Sequence, residues 1–87
     1  MNQNILFPDL QSVDDTRQAV SFQAQQAGAL ISCFVLVSDL EKRAGSGLDS
    51  KEAILNAFNE YRFDYEELAE EAIEDEDFNE AGEIWVS

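Results

Sequence analysis

The stretch VSFQAQQAGALISCFVLV, from Val20 to Val37, decides the fold. In its first half the apolar Val20, Phe22 and Ala24 alternate with Ser21, Gln23 and Gln25, the period-two pattern of a strand with one buried face. Gln26-Ala27-Gly28 then reads as a turn, because Gly28 accepts a positive φ without steric cost. The second half, Ala29 to Val37, is apolar at every position except Ser32. It is too short to span a membrane, which takes about 20 residues. It therefore reads as the central strand of a sheet, paired with its predecessor in a hairpin. Ile31, Cys33 and Val35 fall on one face, Leu30, Phe34 and Leu36 on the other, and both faces need cover.

Toward the N-terminus, residues 3 to 7 form a short apolar segment stopped by Pro8, which suits an edge strand. Residues 8 to 16 mix Pro, Asp and Ser without periodicity and read as a surface loop. On the other side of the hairpin, Ser38 and Glu41 have capping-box spacing ahead of a short helix over 39–44. Gly45-Ser46-Gly47 breaks that helix. Asp49 with Glu52 repeats the capping spacing, and Ile54, Leu55, Ala57, Phe58 and Tyr61 fall at helical intervals, predicting a helix over 50–61. Arg62-Phe63-Asp64 reads as a joint, with Asp64 capping the next helix and Phe63 stapling onto Leu68. That helix runs over 65–76 and buries Tyr65, Leu68, Ala69, Ala72 and Ile73. After the turn Asn79–Gly82, residues 83 to 87 alternate as a final strand, with Ile84 and Val86 opposite Trp85. The expected architecture is α+β: an antiparallel sheet in the order β-β-β-α-α-α-β, with the helices packed on one face.

The 87 residues carry 19 Asp plus Glu against 5 Lys plus Arg, a formal net charge of -14. One domain, 1–87, is all that such a length encloses. The hydrophobic fraction of 45%, with six Phe, two Tyr and one Trp, is too high for a chain kept unfolded by its charge. Free nucleic acid and membrane are excluded as direct partners, because polyanions are repelled by a negative field. A basic protein partner is attracted. Met1 to Pro8 has no basic residue ahead of its apolar stretch and no small-residue cleavage site, so it does not read as a secretory signal, and the expected location is cytoplasmic. The single Cys33 reads as a small buried hydrophobe.

The usual catalytic constellations are missing. The chain has no His, and no Ser, Cys or Lys stands in a nucleophile motif, so no enzymatic activity is expected. Asp75, Asp77 and Asn79 fit positions one, three and five of a calcium loop. The pattern then fails, with Glu80 where Gly is needed and Val86 where a bidentate Glu is needed. No metal and no cofactor is expected.

Several residues together match a known pattern: Met1-Asn2-Gln3 and Phe7-Pro8-Asp9, Gln18-Ala19-Val20, Phe22, Gly28, Cys33, Phe58, Arg62-Phe63-Asp64, Glu66-Glu67, Ala69-Glu70, Gly82 and Trp85. In these the chain resembles, over essentially its whole length, the small bacterial family known as domain of unknown function 1488. The resemblance implies a compact α+β domain of the bacterial cytosol. It carries no catalytic residue with it.

Two features remain as candidate surfaces. From Glu60 to Glu83 there are twelve acids and one base, Arg62, and Glu60, Asp64, Glu67, Glu71 and Glu74 recur at steps of three and four. On a helix such steps place side chains about 5 to 6 Å apart in one row. The row is either a solvated face or a docking surface for a basic protein, and in the latter case it serves a protein-interaction module or imitates DNA toward a nucleic-acid-binding protein. The second feature is the sheet. Phe22, Phe34, Phe58, Phe63 and Trp85 are expected in the core, yet the helices can cover one face only. The other is then left for a weak homodimer or a partner, unless the short helix over 39–44 lies on it. A monomer or weak homodimer is expected.

Overall fold

The computed structural model describes residues 5–86. Residues 1–4, including the expected strand positions Gln3 and Asn4, and Ser87 of the expected final strand lie outside the described residues. Five strands and three helices follow in the order β1 (Ile5–Leu6), β2 (Gln11–Asp14), β3 (Ala19–Gln26), β4 (Ala29–Leu36), α1 (Val37–Ala44), α2 (Lys51–Glu60), α3 (Arg62–Glu74) and β5 (Ile84–Val86). The fold is α+β, with the helices packed against one sheet.

The decisive hairpin forms as read. β3 and β4 pair antiparallel from Ala19↔Leu36 to Gln26↔Ala29, leaving a two-residue turn. Ala27 at φ 52° and Gly28 at φ 84° are both left-handed, as the turn that matches strand twist demands. Three expectations about the sheet need correction. Residues 11–14, expected in a loop, form β2 and pair antiparallel with β3, Val13 facing Val20. Of the described part of the expected edge strand, Ile5 and Leu6 pair opposite Gln26 and Gln25, while Phe7 falls outside the strand. β5 runs parallel to β4, Cys33 beside Ile84 and Val35 beside Val86, so the sheet is mixed rather than antiparallel throughout. The three helices form the crossover that a parallel connection needs.

The helix boundaries also differ in instructive ways. α1 starts directly from β4, with Leu36 as its cap residue and no side-chain cap, so the Ser38–Glu41 box does not form. The Val37 amide instead donates to the Gln18 carbonyl at 2.9 Å, and Glu41 accepts from the Leu48 amide at 3.0 Å. One free amide of the first turn is thus satisfied by the hairpin, and Glu41 ties down the following loop. For α2, Ser50 rather than Asp49 is the cap, its Oγ accepting from the Ala53 amide at 3.1 Å. The joint between α2 and α3 sits at Tyr61, one residue before the expected one.

That shift changes two side chains. Asp64 is not a cap: it lies inside the first turn of α3 and its amide donates to the Tyr61 carbonyl at 3.1 Å. Phe63, expected as core and staple, is 82% exposed. The core between sheet and helices is one cluster built on Val20, Phe22, Cys33 and Val35 from below and Leu40, Phe58, Tyr65 and Ile73 from above. Phe58 sits at its centre, its ring 5.1 Å from Phe22 and 6.0 Å from Tyr65. Because α1 contributes Leu40 to this cluster, it does not cover the second sheet face.

Candidate functional site

The acidic row lies mainly on α3. A helix advances about 100° per residue, so Asp64, Glu67, Glu71 and Glu74 occupy an arc of about 80° and a line about 15 Å long. The buried Tyr65, Ala69 and Ile73 project from the opposite side. All four acids are exposed. Glu60 is exposed as well, but it belongs to α2 on the far side of the Tyr61 break and does not continue the same helical row.

Four of the five cations of the chain, all but Lys42, are engaged in ion pairs, almost entirely away from this row. Arg17 pairs with Glu83 at 2.8 Å and Asp14 at 3.6 Å. Lys51 pairs with Asp15 at 3.1 Å. Arg62 pairs with Glu66 at 2.6 Å and Asp9 at 3.3 Å. Arg43 pairs with Asp39 at 3.5 Å and reaches the row at one point only, Asp64, at 3.6 Å. Among the described residues no cation comes within 4 Å of Glu67, Glu71 or Glu74. Their charge faces water unopposed.

Beneath the row the buried Tyr65 and the half-buried Asp39 anchor α3. The Tyr65 hydroxyl donates to Asp39 at 2.7 Å, and the Arg43 guanidinium lies over the Tyr65 ring at 4.8 Å. Burial, and then the hydrogen bond to Asp39, push the Tyr65 pKa up, so its phenol stays protonated. Cys33 is likewise held as a thiol, burial raising its pKa to about 12. Neither group is poised as a nucleophile at neutral pH.

Residues 5–86 match the family model described as "Protein of unknown function (DUF1488)". The chain belongs to this family. It is 33% identical over 86 residues, 99% of each chain, to the uncharacterized protein YrdB of Escherichia coli (strain K12). The uncharacterized YrdB of Shigella flexneri is 31% identical over the same shares. The crystal structure of a DUF1488 protein of unknown function from Shewanella loihica PV-4 superposes with a TM-score of 0.94 at 40% identity, covering 99% of this chain and 94% of that one. Among the described residues no helix is long and apolar enough to cross a membrane.

Two of the motifs that carried the resemblance to DUF1488 meet in space. Arg62, from the Arg62-Phe63-Asp64 motif, donates to the Pro8 carbonyl at 2.9 Å and to Asp9 at 3.3 Å, from the Phe7-Pro8-Asp9 motif. It also donates to Gln11 at 2.6 Å and Glu66 at 2.6 Å, and lies over the Phe58 ring at 5.7 Å. This guanidinium fastens the β1–β2 connection to the start of α3, which is a structural task. Asn79, once a possible calcium ligand, is committed to its own turn: its Oδ1 accepts from the Ala81 and Glu83 amides at 3.0 and 2.8 Å.

A second cluster was not legible as a unit. On the open sheet face Phe34 and Trp85 stack with centroids 4.8 Å apart, and Arg17 lies over Phe34 at 4.6 Å. Arg17 in turn holds Glu83, whose pKa falls below the ordinary glutamate value, chiefly through that hydrogen bond and then through Asn79. The contact lowers the exposure of Phe34 to 6% while Trp85 remains 39% exposed. Nothing in the local sequence links Arg17 to residues 34, 83 and 85, because strand pairing alone brings them together.

Proposed function

We propose that the protein is a non-enzymatic interaction module whose acidic α3 face, Asp64, Glu67, Glu71 and Glu74 with Glu60 beside it, docks a basic protein. The observation that carries this reading is the unopposed charge of Glu67, Glu71 and Glu74, which none of the four ion-paired cations, Arg17, Arg43, Lys51 and Arg62, reaches. A row of exposed carboxylates steers a positively charged partner and accelerates its approach at low salt. A narrower reading takes the partner to be a nucleic-acid-binding protein, supported by the regular spacing of the row. Cytoplasmic location goes with either.

The test is the joint substitution of Glu67, Glu71 and Glu74 by Gln, used as bait beside the unchanged protein in lysate pull-downs at low and high salt. A basic protein held by the parent at low salt, lost at high salt and lost by the triple variant is the expected result. Displacement of that protein by added DNA selects the narrower reading. Equal recovery by both baits of every basic protein returns the row to a solvated surface. Exposed substitutions of this kind change stability by less than about 0.5 kcal/mol, so the melting temperature holds or rises and misfolding does not confound the outcome.

A further inference from the structure

Phe63 stands out against its surroundings. At 82% it is the most exposed large hydrophobic side chain among the described residues. It belongs neither to the core cluster nor to the side chains packed against that cluster, and among the described residues its ring pairs with no other ring. A lone exposed apolar residue is ordinary on a protein surface. This one stands in line with acids. At about 100° and 1.5 Å per residue, Phe63, Glu67, Glu70 and Glu74 of α3 follow steps of four, three and four within an arc of about 60° and a line about 16 Å long. The ring therefore occupies the N-terminal end of a line of carboxylates, with Glu67 about 5 to 6 Å along it. Among the described residues no cation comes within 4 Å of Glu67, Glu70 or Glu74.

We infer that the partner element seated on this line is a basic amphipathic helix, with an apolar side chain over Phe63 and lysines or arginines along Glu67, Glu70 and Glu74. The inference rests on the proposed docking of a basic protein and adds what that protein offers. Charge complementarity selects cationic side chains for the carboxylates. Their spacing selects the element. A helix repeats its own side chains at steps of three and four, so cations on one of its faces meet the α3 carboxylates turn for turn.

The ring sets the remaining requirement. A lysine over an exposed ring gains less than an apolar side chain that takes the ring out of water. Aromatic side chains buried at the centre of a contact hold it together, while the charges around them govern approach. Phe63 should thus carry the part of the affinity that salt does not screen, and the glutamates the part that it does.

The test uses two synthetic lysine peptides of equal charge and the same helical pattern, one with leucines on its apolar stripe and one with alanines there, which keep the helix propensity. Each is titrated calorimetrically into the full chain at about 0.05 and about 0.3 M salt. The leucine peptide is expected to bind the parent at least about tenfold more tightly than the alanine peptide at both salts. Phe63→Gln should erase most of that ratio and leave the alanine peptide unchanged. Leu30→Gln, at a site 60% exposed on the other face of the sheet, should preserve it. Joint substitution of Glu67, Glu71 and Glu74 by Gln should weaken both peptides, chiefly at low salt. Thermal melts check that every variant is folded. Equal binding of the two peptides by the parent overturns the inference, as does a ratio that survives Phe63→Gln or falls as far in Leu30→Gln, and each of these leaves docking on the acidic row standing. Peptides that bind the triple variant as tightly as the parent overturn the docking itself, and this inference with it.

Discussion

The helical layer and the open face of the sheet use the same backbone and opposite chemistry. Above the sheet, an apolar interior lies under a surface on which Glu67, Glu71 and Glu74 stand uncompensated. Below it, aromatic and leucine side chains stand exposed among serine and glutamine; Asp14 and Glu83 there are paired with Arg17, and Asp9 with Arg62. The difference teaches that the large negative charge is sorted rather than spread. The acids occupy the side where they can contribute nothing to packing, and the neutral side is left able to touch another surface.

The strongest way to break this contrast is to ask which side holds the molecule together. Phe58 is fully buried between Phe22 and Tyr65. Phe58→Ala should cost about 3 to 5 kcal/mol in urea unfolding. Leu30→Ala on the open face, measured at low protein concentration, should stay within about 0.5 kcal/mol. Comparable costs would mean that the open face is covered within one chain, and the contrast would fail.

A smaller effect concerns the charge of the helical layer. If Glu67, Glu71 and Glu74 repel their neighbours, the melting temperature should rise by a few degrees from low to high salt, since about 1 kcal/mol moves a domain of this size by about 4 to 8 °C. Joint substitution of these three by Gln should flatten that dependence. A parent protein indifferent to salt would show that the acids are too far apart to matter.

The smallest effect is local and lies on the open face. Glu83 should titrate below the ordinary glutamate value in a carboxyl NMR titration, because Arg17 holds its charged form. Its folded value lies below its unfolded one, so the contribution is present above the unfolded pKa of about 4.3 and is lost as pH falls through the folded value. Arg17→Ala should move Glu83 back toward the ordinary glutamate value. An unmoved midpoint would detach Arg17 from this cluster.

How far these two sides were legible in the sequence follows from what each signal encodes. Alternation at Val20, Phe22 and Ala24 reports burial directly, so the hairpin and its inward face were readable. β2 was not, because Gln11, Ser12 and Asp14 surround a single apolar residue, and only pairing with β3 makes a strand of them. The direction of β5 was hidden as well, since alternation within residues 84 to 86 is the same for a parallel and an antiparallel neighbour. Exposure of the acidic row could be read from its period. Its continuity from Glu60 could not, because the break at Tyr61 is set by backbone hydrogen bonds to the Ala57 and Tyr61 carbonyls. The same one-residue shift carried Phe63 from the expected core to the surface.

The parallel pairing of β5 has a consequence for the order in which the chain can become a folded object. β3 and β4 are joined by two residues, so their ladder closes a very short loop. Cys33 meets Ile84 only after the three helices have been made and folded over the sheet. Closing a long loop carries the larger entropic penalty and delays contacts of this kind. During synthesis the ribosome will therefore release a hairpin well before the fully buried Ile84 exists to complete the core. Until then the apolar edge of β4 has no strand beside it, and the nascent chain passes through a stage in which its central strand is open to intermolecular pairing.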